Sequence, residues 1–498
     1  MSSARPDEQS KTLGDLGLTA LGGREVRITG LAVDSREVRP GHLFAALPGS
    51  RVHGAEFAST ALDNQAAAIL TDAEGARIAG PAIEAADAAL VIAEDARQTL
   101  AQTAALWFGR HPATVVAVTG TNGKTSVSTF FRQIWVDMGE AAVNLGTTGV
   151  EGVWTRGLRH TTPDPITLHR VLAEAARNGV THVAMEASSH GLDQCRLDGM
   201  VLAAAGFTNL TQDHLDYHET LEAYFDAKAG LFTRVLADDG VAVINLDSDR
   251  GQLMAQIAEE RGQEVIGIGR SEKARLRLLG QRFDATGQEL RFTWQGRTKL
   301  MRLNLVGGFQ AENVLMAAGL VIGAGGDAAE VFDTLPRLGT VRGRMQLAAT
   351  RDNGAAVFVD YAHTPDAVST AITALRPHVM GRIVAIVGAG GDRDRGKRPL
   401  MGAAAADHAD AVIVTDDNPR SEDPAAIRAA VLAGAPGALE VADRAEAILR
   451  GVDMLEAGDA LLICGKGHET GQVVGTAIHP FDDVEQASVA VAALDGHI

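Results

Sequence analysis

Residues 114–126 read "TVVAVTGTNGKTS", and their pattern decides the fold. The run "TVVAV" is short, apolar and rich in β-branched residues, as in a strand buried on both faces of a parallel sheet. Gly120 and Gly123 follow, then Lys124, Thr125 and the amphipathic stretch "SVSTFFRQIWVDMG". Strand, glycine loop and helix in that order place backbone N–H groups and a helix N-terminus where they cradle phosphate oxygens. The common phosphate-loop pattern GxxxxGK[ST] needs glycine at 118, and this chain has Val118. What remains is a shortened loop in which Lys124 supplies a point charge for β- and γ-phosphates and the Thr125 hydroxyl suits Mg²⁺. A plain glycine turn before a helix is the simpler reading. The strand before it and the helix behind it weigh against that.

Outward from this loop, apolar runs recur at "THVAMEAS" (181–188), "AAGFTNL" (204–210) and "GVAVINLDS" (240–248), with helical patterns between several of them. The alternation predicts an α/β domain with a mostly parallel sheet. Residues 270–305 read as hairpins, and "FQAENVLMAAGLVIGAG" reads as a helix. A second doubly wound α/β unit begins near 340, with strands "AAVFVDYA", "RIVAIVGA", "DAVIVTDD" and "DALLICGK". Ligands gather beyond the carboxyl ends of such strands. The expected architecture is α/β in three domains: 1–110, 111–338 and 339–498.

The chain has 498 residues, 46% hydrophobic and 22% charged, with a net charge of −18. That length suits about three domains, and the negative balance argues against a general nucleic-acid binder. Two cysteines, Cys195 and Cys464, show no metal spacing and predict no disulfide framework. The polar start "MSSARPDEQSK" lacks an apolar core, and no apolar run approaches the ~20 residues of a membrane span. A cytoplasmic monomer is expected.

Several polar motifs sit at strand ends. Glu186 closes an apolar strand, where a carboxylate is either a natural Mg²⁺ ligand or an N-cap or solvated acid. Lys228, in "DAKAGL", would ordinarily be a solvated helix lysine. Thr364-Pro365 reads as N-cap and first helical residue, and Asp360 just before it ends a strand in position for a ribose or base. "GAGGDRDRGKRPLMG" (388–402), "VTDDNPRSEDP" (414–424) and "CGKGHETGQ" (464–472) each load a strand end with glycines and charges. One such loop would be a solvated turn. Three at neighbouring strand ends read as one surface for anions and amines.

"TGTNGKT" and "DHLDYH", with the more specific "VDYAHTPD", "GGDRDRGKRP" and "DDNPR", make the chain resemble the Mur ligases of peptidoglycan synthesis. Within that family it is similar to the members that add meso-2,6-diaminopimelate. The likeness runs from "VDSREVRPGHLFAALPG" (33–49) to "GKGHE" (465–469). It implies an N-terminal UDP-binding domain, a central ATPase and a C-terminal Rossmann-like domain. It also implies joining of meso-diaminopimelate to the D-glutamyl carboxylate of UDP-N-acetylmuramoyl-L-alanyl-D-glutamate, with ATP as co-substrate and Mg²⁺ as cofactor. By the same resemblance, Gly120, Thr121, Asn122, Gly123, Lys124, Thr125, Ser126, Asn313, Arg344 and Asp360 would bind ATP. Val33, Ser35, Ser50, Arg51 and Val52 would hold the uridine part, and His160, Thr161, Thr162, Ser188, Gln194 and Arg196 the muramoyl-dipeptide. Thr125, Glu186, His214 and Lys228 (as a carbamate) would surround the metal, with Lys124, Glu186, His214 and Lys228 as the catalytic set. Arg393, Asp417, Asn418, Pro419, Arg420, Gly465 and Glu469 would form the amino-acid site. Two related activities compete: lysine addition, whose "DNPR" counterpart lacks the arginine, and a folylpolyglutamate synthase-like ligase, which "VDSREVRPG" and "DDNPR" do not suit. A rival of another class is a phosphate-loop switch or assembly ATPase.

Overall fold

The structure is a computed structural model that describes residues 10–49, 52–211 and 217–497. Three main sheets follow one another along the chain. The first has four parallel strands, Gly30–Ala32, His42–Ala45, Ala68–Thr71 and Ala89–Ile92, neighbouring in that order. Leu43, Ile69 and Leu70 are fully buried in it. The helices that follow two of these strands start on aspartates: Asp72 accepts from the Gly75 N–H, and Asp95 from those of Arg97 and Gln98. Each cap satisfies donors that the first helical turn leaves unpaired.

The central sheet has ten strands among the described residues. Thr114–Thr119 lies in its interior, parallel to His182–Glu186 on one side and Ala204–Phe207 on the other. The chain builds one half of the sheet with Ala142–Gly146 and His182–Glu186. It then crosses to the other half with Ala204–Phe207, Val241–Asn245 and Glu264–Gly269. The phosphate loop therefore leaves its strand at a topological switch point, where open α/β sheets form a crevice. Helix Lys124–Asp137 follows the loop, and helix Gln310–Gly323 packs beside it over the same face. Gly319 and Gly323 let that second helix lie close: a Cβ at either would stand 2.7 or 2.8 Å from the side chain of Val243 or Val241.

The hairpins expected over 270–305 are present as Leu276–Asp284, Gly287–Trp294 and Arg297–Leu303. They are not a separate layer. Leu276–Asp284 runs parallel to Glu264–Gly269, so the three strands extend the central sheet.

The third sheet orders its strands Gln346–Thr350, Ala356–Asp360, Ala460–Cys464, Ile383–Val387, Ala411–Val414 and Leu439–Glu440. All pair parallel except the first two. The inner four match the four apolar runs of the sequence; the two edges are additions. A small hairpin, Gly471–Val474 with Ala477–Pro480, bridges to Arg420 through Val474. No helix among the described residues is long and apolar enough to cross a membrane.

Candidate active site

The phosphate loop is held open by glycine geometry. Gly120 has φ 142° and Gly123 has φ 89°, where a side chain is strained. Space forbids one as well. A Cβ on Gly120 would sit 1.9 Å from Thr208 Oγ1, and one on Gly123 would sit 2.6 Å from Asn313 Oδ1. The loop is tied to the end of the neighbouring strand. Thr121 N–H donates to Asn209 O at 2.9 Å, Asn122 N–H to Asn209 Oδ1 at 2.9 Å, and the Thr208 hydroxyl to Asn122 O at 2.6 Å. Lys124 folds back, its Nζ donating to Gly120 O and Thr121 O at 2.8 Å each.

Below the loop lies Lys228, 1% exposed, with Nζ donating to Gly120 O at 2.9 Å and lying 4.3 Å from the centre of the Tyr224 ring. A solvated helix lysine is thus the wrong description of it. Glu186, also 1% exposed, accepts from the Thr147 N–H at 2.9 Å and from the Thr147 hydroxyl at 3.1 Å. Gly146 makes room for this carboxylate, since a Cβ there would lie 2.0 Å from Glu186 Oε1. The Glu186 main-chain carbonyl accepts from the Thr162 hydroxyl, which in turn accepts from the Ser188 N–H. Thr162 O and Gln194 Oε1 both accept from Arg196, at 2.7 Å each. Ser188 caps the helix Ser189–Asp193 by accepting from the Gly191 N–H.

From the third sheet, Arg344 reaches across to donate to Thr125 Oγ1 at 3.2 Å, and its guanidinium lies 4.5 Å from the centre of the Tyr361 ring. Asp360 is buried beside it and accepts from the Met345 N–H at 2.7 Å. Burial pushes the Asp360 carboxyl up, opposed by Arg344. Thr364 caps the next helix by accepting from the Ala367 N–H, with Pro365 at its first position as the sequence predicts.

Most of these groups share one cavity of about 490 Å³; Thr162, Gln194 and Arg196 do not line it. Its wall takes in residues 121–126, Glu186, Lys228, Asn313, Arg344 and Asp360, together with Thr161 and Ser188. Thr147, Thr208, Tyr224, Tyr361 and Glu312 also line it, none of which sequence reasoning singled out. Glu312 carried a weak signal, as an acid in the first turn of an otherwise apolar helix; burial and the charge of Asp247 push its carboxyl up.

The amino-acid candidates form a second cluster that does not line this cavity. Here the three charged strand ends do meet. Gly391 N–H donates to Asn418 O at 2.9 Å, Arg420 Nη1 to Gly391 O at 2.7 Å, and Asn418 Nδ2 to Glu469 Oε2 at 2.8 Å. Gly465, with φ 115°, passes so near Asp417 that a Cβ would stand 2.5 Å from its Oδ2. Pro419 O lies against Gly391, 1.9 Å from where a Cβ would be, and Arg393 is exposed beside the cluster.

Val33 and Ser35 follow the carboxyl end of strand Gly30–Ala32, with Ser35 buried and Val33 exposed; Val52 is exposed, as is His160. Ser50, Arg51 and His214 lie outside the described residues.

The cavity places the glycine loop 120–126 and the start of its helix against a buried carboxylate and an arginine from the third sheet, a construction that suits a nucleotide-dependent enzyme. Residues 118–321 match the Mur ligase middle domain, 343–467 the Mur ligase glutamate ligase domain, and 27–108 the Mur ligase family catalytic domain. The UDP-N-acetylmuramoyl-L-alanyl-D-glutamate–2,6-diaminopimelate ligase of Bradyrhizobium diazoefficiens is 49% identical over 94% of this chain and 96% of its own length. That of Caulobacter vibrioides is 49% identical over the same shares of the two chains. A solved structure of an enzyme of that name superposes with a TM-score of 0.69 at 36% identity, covering 94% of this chain and 95% of the other. The chain belongs to the Mur ligase family.

Proposed function

We propose that the chain is an ATP-dependent ligase that adds meso-2,6-diaminopimelate to the D-glutamyl carboxylate of UDP-N-acetylmuramoyl-L-alanyl-D-glutamate, through an acyl phosphate, in peptidoglycan precursor synthesis. The observation that carries the choice of amine is the gathering of Arg420, Asn418 and Glu469 in the loops beyond three neighbouring strand ends, with Arg420 held by Gly391 O and Asn418 by Glu469. Diaminopimelate ends in a second amino-acid head with a carboxylate, for which a guanidinium is a bidentate partner. Lysine ends in an ammonium, which the same arginine repels.

In this reading the γ-phosphate passes to the glutamyl carboxylate, the acyl phosphate forms and ADP leaves; the amine then attacks and a tetrahedral intermediate expels phosphate. Phosphoryl transfer depends mostly on positioning and charge neutralisation, which the loop 120–126, Lys124 and Arg344 are placed to supply. Asn313 and Asp360 would hold the nucleoside. Thr161, Thr162, Ser188, Gln194 and Arg196 would hold the dipeptide end of the UDP-substrate, with His160 beside them, and Val33, Ser35, Ser50, Arg51 and Val52 the uridine end. Arg393, Asp417, Pro419 and Gly465 would complete the amino-acid pocket. The domains assigned to these tasks are 1–110, 111–338 and 339–498.

The donors also suit Mg²⁺. Glu186 is a buried carboxylate with no cationic side chain paired to it among the described residues, and it faces the same cavity as the Thr125 hydroxyl. With His214 and Lys228 as a carbamate, these would hold the ion, which supplies neutralisation of phosphate charge. The decisive assay is ADP release with the UDP-dipeptide and each candidate amine in turn. Release that requires both the UDP-dipeptide and diaminopimelate supports the proposal. Release indifferent to both substrates, as in a switch ATPase, would end it.

A further inference from the structure

Lys466, in the loop after strand Ala460–Cys464, is 0% exposed. A lysine is almost never so buried unless its charge is matched. Its three N–H donors have three acceptors: Asn418 Oδ1 at 3.2 Å, Glu469 Oε2 at 3.1 Å and Gly471 O at 2.6 Å. Glycines flank it for close-approach reasons. A Cβ at 465 would meet Asp417, and one at 467 would lie 2.7 Å from Tyr361 Cβ. The backbone is thus pressed against its neighbours on both sides, and the lysine is driven inward.

The effect on Asn418 is specific. Its Oδ1 accepts from Lys466 and also from the Val473 N–H at 2.9 Å. Both partners can only donate, so the oxygen is fixed towards them and the amide cannot turn over. Nδ2 then points to the other side, where it donates to Glu469 Oε2. An asparagine free to rotate could serve either a carboxylate or an ammonium. This one can only donate. The same ammonium occupies Glu469 Oε2 and leaves Oε1 as the acceptor.

We propose that Lys466 is a positioning residue for the incoming amino acid, locking the Asn418 amide as a donor for a ligand carboxylate and the Glu469 carboxylate as an acceptor for a ligand ammonium. The proposal rests on the amino-acid site assigned above. It extends that assignment by making carboxylate selection a property of the Lys466–Asn418–Glu469 hub as well as of Arg420.

The test is steady-state kinetics on the full chain with ATP, UDP-dipeptide and diaminopimelate varied separately. Lys466→Met keeps length and apolar bulk and removes the donors. It should raise KM for diaminopimelate by about 10- to 100-fold, the size expected for losing hydrogen bonds to a charged group. KM for ATP and for the UDP-dipeptide should stay within about threefold. In an Asn418→Ala background the same change should cost less than it does in the unaltered protein, because only its hold on Glu469 remains to be lost. Asn418→Asp keeps an oxygen for Lys466 and replaces the outward donor with an acceptor, so it should harm diaminopimelate use more than Asn418→Ala does. Equal rises in all three KM values, or additive costs in the double variant, would assign Lys466 to loop folding only. Should Lys466→Met fail to fold, Asn418→Asp with unchanged KM for diaminopimelate would by itself overturn the locked amide. Failure of the underlying reading looks different: the unaltered protein would then show no diaminopimelate-dependent ADP release at all.

Discussion

At the scale of single residues, Lys124 and Arg420 carry the sharpest expectations. The Lys124 ammonium donates to two carbonyls of its own loop, at 2.8 Å each. A bound polyphosphate offers stronger, charged acceptors in the same place. Lys124→Ala should therefore lower ATP turnover by about 10²–10³-fold, as loss of one preorganised charge contact does. Binding of the UDP-dipeptide should persist, since its proposed partners lie on other segments; turnover near that of the unaltered protein would remove the loop from the ATP site. Arg420 sits at φ 51°, an uncommon conformation for a side chain of this size. The backbone is held there from both sides, by Arg420 N–H to Val473 O at 3.0 Å and Gly475 N–H to Arg420 O at 2.7 Å. Truncation to alanine leaves those bonds intact, so the measured loss reports the guanidinium. Arg420→Ala should cost diaminopimelate kcat/KM on the order of 2–5 kcal/mol, as for an unpaired charged contact. Lysine should gain little, because removing repulsion builds no site for its ammonium. An unchanged diaminopimelate value would leave Arg420 as an ordinary surface residue before the helix Pro424–Leu432.

At the scale of elements, two helices of the third unit are joined by a buried ion pair. Arg444, the first residue of helix Arg444–Asp453, donates through Nε and Nη2 to the two carboxylate oxygens of Asp483, at 2.8 and 2.7 Å, and both side chains are 0% exposed. Asp483 opens the helix Asp483–Leu494. Removing the carboxylate strands a guanidinium in the core, a loss of about 3–5 kcal/mol. Asp483→Ala should lower the thermal midpoint by several degrees or more in a melt followed by circular dichroism; a midpoint within a degree of the original would refute the estimate. Neither residue was legible as a pair in the sequence, because they are 39 positions apart. The same reason accounts for most of what sequence reading missed. The apolar runs announced their strands locally, and Gly120, Gly123 and Thr364 announced their roles through backbone chemistry. Thr208 meets the phosphate loop 86 residues away, and Lys466 meets Asn418 48 residues away. No local pattern encodes such meetings. The edge strands were missed for another reason: Gln346–Thr350 is only half-buried, with polar ends, and Leu439–Glu440 is two exposed residues long, so neither shows a sustained apolar run.

At the scale of the whole molecule, the two clusters pose a geometric problem with one physical resolution. Arg344 touches Thr125, and Asn122 Nδ2 lies 3.4 Å from Asp366, so the third unit is docked on the phosphate loop. Yet Arg393, Asp417, Asn418, Arg420 and Glu469 do not line the cavity that contains that loop. Amide formation needs the amine within about 3–3.5 Å of the acyl carbon. A shift of the third unit against the central one once the substrates are bound, as in enzymes that close around their ligands, would bring the amine to the acyl carbon. This motion is measurable with a pair of fluorophores. Val201 on the central unit is 70% exposed and Met380 on the third unit is 96% exposed, so Val201→Cys with Met380→Cys gives two accessible attachment points. The native thiols compete poorly, since Cys195 and Cys464 are both buried; burial pushes the Cys195 thiol up to about 11 and the Cys464 thiol further still. Energy transfer between the labels should change when a non-hydrolysable ATP analogue, the UDP-dipeptide and diaminopimelate are added together. The nucleotide analogue alone should produce a smaller change, because it fills only the cavity between units that already touch. Transfer that stays constant under all additions, in a labelled protein that still turns over, would mean that the amine reaches the acyl phosphate without closure.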